Sequence, residues 1–338
     1  MPLSVRPTAA LTGAVGAGLA AVLVAGCSGS AGSATVAAAV QDGSAPPRAA
    51  AAVTPTPTPT PTPTGPYVAL GDSYTSGLKI SPQQAAEPRG CSRSAVNYPS
   101  LVAKALGLSG ERFRDVSCSG ARTGDLAGAQ ETDDGSNPPQ LDALSPATRL
   151  VTVGIGGNDA GFMDVVGQCA KENLVDALKG LVGSDRAAAP CRDSYAAADG
   201  GDQVQRKVDA AGEKLGQQLK EIGRRAPQAR VYVVGYPSLL PADPASCVPV
   251  LGSALTGGDL GFLVEKERQL NAMLKRRAEA AGAVFVDLAA PSAGHDMCAG
   301  EGARWVEPPF PAHGLAAIHP NAKGQEGAAQ AVLKAVRG

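Results

Sequence analysis

The chain has 338 residues, with 30 Lys and Arg against 31 Asp and Glu, three His, seven Cys and aromatics at only 4%. A formal charge of -1 provides no basic surface for a phosphate backbone, which argues against a nucleic-acid partner, and three histidines exclude a His-rich metal cage. At 44% hydrophobic the composition is globular, while 42 Gly and 27 Pro mark part of the chain as linker rather than core.

The chain opens with Arg6 ahead of an uncharged run of small and apolar residues over 9–25. About 17 residues fall short of the roughly 20 needed to span a bilayer as a helix, so an export signal is the reading preferred to a transmembrane anchor. Val24, Ala25, Gly26 and Cys27 resemble a bacterial lipobox, which implies lipidation of Cys27 and a membrane anchor; the alternative is an ordinary secretory signal with a cysteine nearby. Several acyl chains would hold firmly, since each buried CH₂ is worth about 0.8 kcal/mol. Residues 28–66 are first Ala, Ser and Gly and then alternate Thr and Pro over 54–64, a composition that buries no core. Such a segment reads as a stiff spacer, open to O-glycosylation, whose repeat reaches roughly 30 Å at about 3 Å per residue.

Residues 67–338 are enough for one domain. Short runs bounded by apolar residues at 67–70, 113–116, 150–153, 231–234 and 284–286 read as strands. Between them lie helical patterns. Val204, Val208, Ala211, Leu215, Leu219 and Ile222 fall on one helix face, and Leu260, Leu263, Val264, Leu270, Met273 and Leu274 form a second set. Strands alternating with helices predict a three-layer α/β/α sandwich around a central, mainly parallel five-stranded sheet, whose chemistry lies on loops beyond the strand C-terminal ends.

Cys27 apart, the cysteines are Cys91, Cys118, Cys169, Cys191, Cys247 and Cys298, an even set with no C-x-x-C pair. In an exported chain they read as disulfides rather than zinc ligands, and their spacing alone leaves the pairing open.

Four loops carry chemistry. Gly71-Asp72-Ser73-Tyr74 follows the first strand and presents a serine hydroxyl at the sheet edge, although a strand-to-helix turn capped by serine would look the same. Cys118-Ser119-Gly120-Ala121 follows the second strand and, alone, is a disulfide-tethered turn. Gly154-Ile155-Gly156-Gly157-Asn158-Asp159 follows the third; its glycines admit a bound group and Asn158 can donate to an oxyanion. No P-loop or dinucleotide fingerprint accompanies it, so phosphate ranks low. Ile318-His319-Pro320-Asn321 precedes the last helical stretch and offers a loop imidazole.

Together, and in this order, these blocks resemble the SGNH hydrolase superfamily, the GDSL esterases and lipases; Gly294-His295-Asp296-Met297-Cys298 and 319–324 resemble its actinobacterial secreted lipase and phospholipase branch. The resemblance implies a flavodoxin-like fold, with Ser73 as nucleophile and His319 as base. It further implies an oxyanion hole from the N–H groups of Ser73 and Gly120 with the Asn158 amide, and it favours disulfides between consecutive cysteines. It implies no metal and no cofactor. The family usually places Asp three residues before the histidine, where this chain has Ala316, so a dyad is expected in which a main-chain carbonyl, that of Ala316, orients His319.

His295 beside Asp296 is the rival base, read as positioning its loop or facing substrate; His313 reads as an exposed loop residue. Asp72 and Asp159 read as turn-fixing. Trp305 is expected to pack near the last disulfide or to line the acyl cleft.

The expected function is an extracytoplasmic, monomeric carboxylic-ester hydrolase acting on acyl lipids through an acyl-enzyme, on the outer face of the cell membrane as a lipoprotein or secreted. The alternatives are a carbohydrate acetylesterase on cell-wall polysaccharide and a non-catalytic surface binding module.

Overall fold

The computed structural model describes residues 65–338 except 86, 87, 182, 184, 186, 252–254 and 313. The leader, Cys27, the linker up to Thr64 and His313 lie outside the described residues.

Five strands build the main sheet: β1 (Tyr67–Gly71), β2 (Phe113–Asp115), β5 (Leu150–Gly154), β6 (Arg230–Val234) and β7 (Val284–Val286). Strands β3 (Gln130–Thr132) and β4 (Gly135–Asn137) form a separate antiparallel ribbon. The main sheet is parallel throughout in the order β2-β1-β5-β6-β7, with Tyr67 level with Phe113 on one side and Leu150 on the other. Every residue of β1 and of β5 is buried, which is why both read as unbroken apolar runs rather than as alternating ones.

Side chains alternate between two covered faces. Val68, Leu70, Val151, Val153 and Val233 pack against α6 (Gln203–Arg225) and α8 (Gly257–Ala280). Tyr67, Ala69, Leu150, Tyr232 and Val234 pack against α2 (Tyr98–Ala105) and α9 (Ala322–Arg337). The Tyr67 hydroxyl on this face is 2.8 Å from Thr152 Oγ1, which pairs both buried groups. The apolar stripe of α6 is buried along its whole length, and the helix starts where the Asp202 side chain accepts from the N–H groups of Val204 and Gln205.

The chain leaves β1 toward β2 on one side and returns to β5 on the other. The order therefore reverses between β1 and β5, and the loops at that point part to leave a crevice. Short helices α1 (Ser73–Ser76) and α3 (Gly157–Ala160) start there, and α4 (Phe162–Leu181) follows α3 directly. A third apolar cluster, including Phe162, Val165, Leu240, Leu260, Met297 and Ile318, fills the space under these loops.

Disulfides join Cys91 to Cys118, Cys169 to Cys191 and Cys247 to Cys298. The first ties the segment after α1 to the turn after β2. The second joins α4 to α5 (Pro190–Ser194). The third joins the segment before α7 (Val248–Leu251) to the loop after β7.

Leu215 is fully buried between α6 and the sheet. Leu215→Ala is expected to cost about 2–5 kcal/mol, read as a lower denaturation midpoint with the disulfides intact; a loss under about 1 kcal/mol would contradict a close-packed layer there.

Candidate active site

Gly71 ends β1 and lets the turn press against β5. A Cβ at this position would stand 2.3 Å from Thr75 Oγ1 and 2.5 Å from the Gly154 carbonyl oxygen. With glycine the contact becomes useful, and the Asp72 N–H donates to that same carbonyl at 3.0 Å. The Gln140 side chain brackets Gly71, accepting from its N–H at 2.8 Å and donating to its carbonyl at 3.0 Å.

Asp72 caps α1. Its Oδ1 accepts from the Tyr74 N–H at 2.9 Å and its Oδ2 from the Tyr236 hydroxyl at 2.6 Å, while that hydroxyl accepts from the Gly157 N–H at 2.8 Å. Burial pushes the Asp72 carboxyl up to about 6, although the bond from Tyr236 favours the charged form. Asp159 does a similar task nearby, accepting from the Thr123 N–H at 2.8 Å and its hydroxyl at 2.7 Å.

Ser73 is the first residue of α1, and its Oγ lies 2.9 Å from His319 Nε2. His319 Nδ1 lies 2.7 Å from the carbonyl oxygen of Ala317. A carbonyl only accepts, so Nδ1 carries the proton and Nε2 turns its lone pair on the serine hydroxyl. Burial holds the imidazole below its ordinary value; the Ala317 bond acts in the opposite direction, and the charge of Lys79 adds to the lowering.

The sequence reading expected the carbonyl of Ala316, and the structure corrects this to Ala317. The reason is the backbone of Ile318, which lies in the left-handed region at φ 56, an unfavourable place for a β-branched side chain. That turn brings the carbonyl two residues before the histidine, not three, onto its ring. It is over-determined by its neighbours: the Tyr74 hydroxyl donates to the Ile318 carbonyl at 2.6 Å, the Ile318 N–H donates to Glu307 at 3.0 Å, and the Glu307 N–H donates to the His319 carbonyl at 3.0 Å. The Tyr74 ring also lies against the imidazole, with centroids 4.8 Å apart.

Gly120 occupies the left-handed region at φ 79, in the turn held by Cys91–Cys118 and by the Gln130 amide, which donates to the Ser119 carbonyl at 2.8 Å. Asn158 stands in α3, where its Nδ2 donates to the Ala121 carbonyl at 2.9 Å. One N–H of the amide thus joins the loops after β2 and β5, and the amide has a second N–H to offer.

Ser73, Gly120, Asn158 and His319 border one cleft of about 200 Å³, whose other walls include Leu78, Phe162, Met163, Leu239 and Leu270. Glu267 also reaches it from α8. Its Oε2 accepts from the Leu239 N–H at 3.0 Å, and burial pushes its carboxyl up to about 8.

His295 is not among the cleft residues. Its Nδ1 lies 2.7 Å from the Ala303 carbonyl and its ring stacks on Trp305 at 4.8 Å, which gives Trp305 a packing role. Tyr74, Tyr236, Glu267 and Ala317 are the site residues that sequence reasoning missed. Tyr236 carried a usable signal, since it follows the strand pattern at 231–234 on the edge where the other loops converge. Glu267, one polar residue inside a helical pattern, carried none.

Among the described residues, no group of three or more His, Cys, Asp or Glu converges as a metal site requires. Likewise, none of the described helices is long and apolar enough to cross a membrane.

The GDSL-like lipase/acylhydrolase family model matches residues 69–326. Lipase 2 of Streptomyces coelicolor is 38% identical over 262 residues, which cover 77% of this chain and 81% of that protein. An esterase of Streptomyces scabiei is 33% identical over 251 residues, covering 70% and 73%. The crystal structure of phospholipase A1 from Streptomyces albidoflavus NA297 superposes with a TM-score of 0.63 at 29% identity, covering 81% of this chain and 99% of that one. The extracellular lipase of Streptomyces rimosus gives 0.62 at 30% identity, covering 80% and 99%. With the family matched over most of the domain and relatives of this identity being lipases and esterases, the chain belongs to the GDSL-like lipase/acylhydrolase family and is a carboxylic-ester hydrolase.

Proposed function

We propose that the protein hydrolyses esters of acyl lipids outside the cytoplasm through a Ser73–His319 dyad and an acyl-enzyme. The observation that carries this reading is the contact between Ser73 Oγ and His319 Nε2 at 2.9 Å, with Nδ1 committed to a carbonyl. Ser73 Oγ attacks the ester carbonyl carbon as its proton passes to Nε2. The tetrahedral oxyanion is held by the N–H groups of Ser73 and Gly120 and by the Asn158 amide. Ser73 supports this role as the first residue of α1, because the start of a helix leaves N–H groups without intrahelical acceptors. The imidazolium then gives its proton to the leaving alkoxide, and the C–O bond to the alcohol breaks. In the second half Nε2 takes a proton from water, the hydroxide attacks the acyl-enzyme, and the returned proton restores Ser73 as the acid departs.

An acyl substrate is supported by the apolar walls of the cleft and by relatives named as lipases. Export is supported by the leader over 9–25, by three disulfides and by the extracellular lipase among the relatives. The domain over 67–338 would then stand off the membrane on the Thr-Pro spacer, anchored through a lipidated Cys27 and acting as a monomer.

Hydrolysis of a chromogenic ester series from acetyl to palmitoyl is expected to peak beyond acetyl and to vanish in Ser73→Ala. An optimum at acetyl would favour a carbohydrate acetylesterase, and turnover that survives the substitution would remove the serine mechanism. Asn158→Ala is expected to lower kcat about 10²- to 10³-fold, the usual effect of removing one oxyanion donor. Steady-state kinetics on a soluble ester would check this, and a change confined to KM would argue against the role.

The base must be neutral to accept a proton, and burial lowers its pKa, so the acid limb of kcat/KM is expected with its midpoint under about 6.5. A midpoint above that value in the pH profile would be the mark of a carboxylate on the imidazole and would contradict the dyad.

A further inference from the structure

Helix α4 buries Phe162, Val165 and Cys169, and a second apolar stripe runs along its exposed side, flanked by Asp164 and Lys171. Met163, Gly167, Ala170, Leu174, Leu178 and Leu181 recur at helical spacing, all are exposed, and the stripe contains no charge. Leu174 is 62%, Leu178 55% and Leu181 83% exposed. A soluble helix normally turns its polar side outward, and among the described residues nothing covers this stripe.

The stripe is continuous with the catalytic cleft, because Met163 is both its first member and a cleft residue. A second apolar projection flanks the same end of α4. Phe310 is 94% exposed, and the preceding Pro309 shares an apolar groove with Phe162, Val166 and Ile318. The stripe runs about 27 Å at one helix width, roughly 270 Å². That is well short of the ~800 Å² per partner of a stable protein interface. It is the shape of a helix that lies in the surface of a lipid layer with one face immersed.

We infer that the outer stripe of α4, together with Phe310, is the face by which the enzyme docks on the surface of an acyl-lipid aggregate, bringing the cleft mouth against the lipid. The inference rests on the proposed acyl-lipid substrate. Apolar contact alone drives the docking, so it requires no anionic headgroup.

The test uses the compact unit Pro57–Gly338, which contains every described core cluster and all three disulfides and lacks the leader and Cys27. With Ser73→Ala to prevent lipid consumption, co-flotation with pure phosphatidylcholine vesicles is expected. The combined Leu174→Gln, Leu178→Gln and Leu181→Gln change is expected to reduce partitioning at least tenfold. Phe310→Ser, on a separate loop, is expected to reduce it several-fold. With Ser73 restored, both variants should turn over soluble 4-nitrophenyl acetate within twofold of the parent, which also reports that they fold.

Unchanged flotation in the variants, or no flotation of the parent, would overturn the docking face. So would size-exclusion showing a dimer that the triple change dissolves, since a second copy would then be the occupant. Absence of turnover of every ester from acetyl to palmitoyl in the parent would instead remove the proposed hydrolase reading, while flotation of the Ser73→Ala protein would still report on the surface independently.

Discussion

The Asp72 carboxylate lies where the ends of β1, β5 and β6 converge, and it answers to all three. Through the Tyr74 N–H it starts α1 and so sets the direction of Ser73; through the Tyr236 hydroxyl it reaches the segment after β6; and that same hydroxyl receives the Gly157 N–H from the loop after β5. Three loops that a parallel sheet would leave independent are thereby locked to one buried group. The cost is desolvation of the carboxyl, visible in its raised pKa. Buried networks of this kind specify one arrangement only when every member is satisfied, and here both oxygens are.

The imidazole is held differently. A carbonyl fixes the tautomer as well as a carboxylate does, but it brings no negative charge to stabilise the imidazolium. The balance of local effects consequently favours the neutral ring, with burial and the charge of Lys79 outweighing the hydrogen bond that His319 donates to the Ala317 carbonyl. In the proposed mechanism, more of the transition-state stabilisation must come from donors aimed at the oxyanion, which gives weight to the ties that fix Gly120 and Asn158: a disulfide, the Gln130 amide and the Ala121 carbonyl.

Most of the strands were legible because both faces of the sheet are covered, so each is a short apolar run between turn residues; the edge strand β2 carries Arg114 and Asp115 and was marked only by Phe113 and Val116 around them. Helices α6 and α8 were legible because each buries a stripe of helical period. α4 was not, since Phe162, Val165 and Cys169 point inward while Met163, Leu174 and Leu178 point outward, and two apolar sides blur any single period. Ser73, Gly120, Asn158 and His319 could be found as loop residues after strands or before a helix. The carbonyl beside His319 could not be assigned correctly, because nothing in an isoleucine signals a left-handed backbone; that conformation is imposed by Tyr74 and Glu307. Glu267 becomes a cleft residue only once distant segments are brought together, whereas Tyr236 was readable from its place after the strand at 231–234.

The contacts of Tyr74 and Ile318 have a mechanical meaning. Ser73 and Tyr74 are adjacent in the chain, as are Ile318 and His319, and each residue of one pair is bonded to a residue of the other: hydroxyl to imidazole, phenol to carbonyl. The two dipeptides close into a ring, a linkage in which neither bond can lengthen far without bending the other. Breathing of the loops that admit a bulky substrate would carry this ring as one rigid part, so the cleft can change width while the distance between hydroxyl and imidazole stays the same.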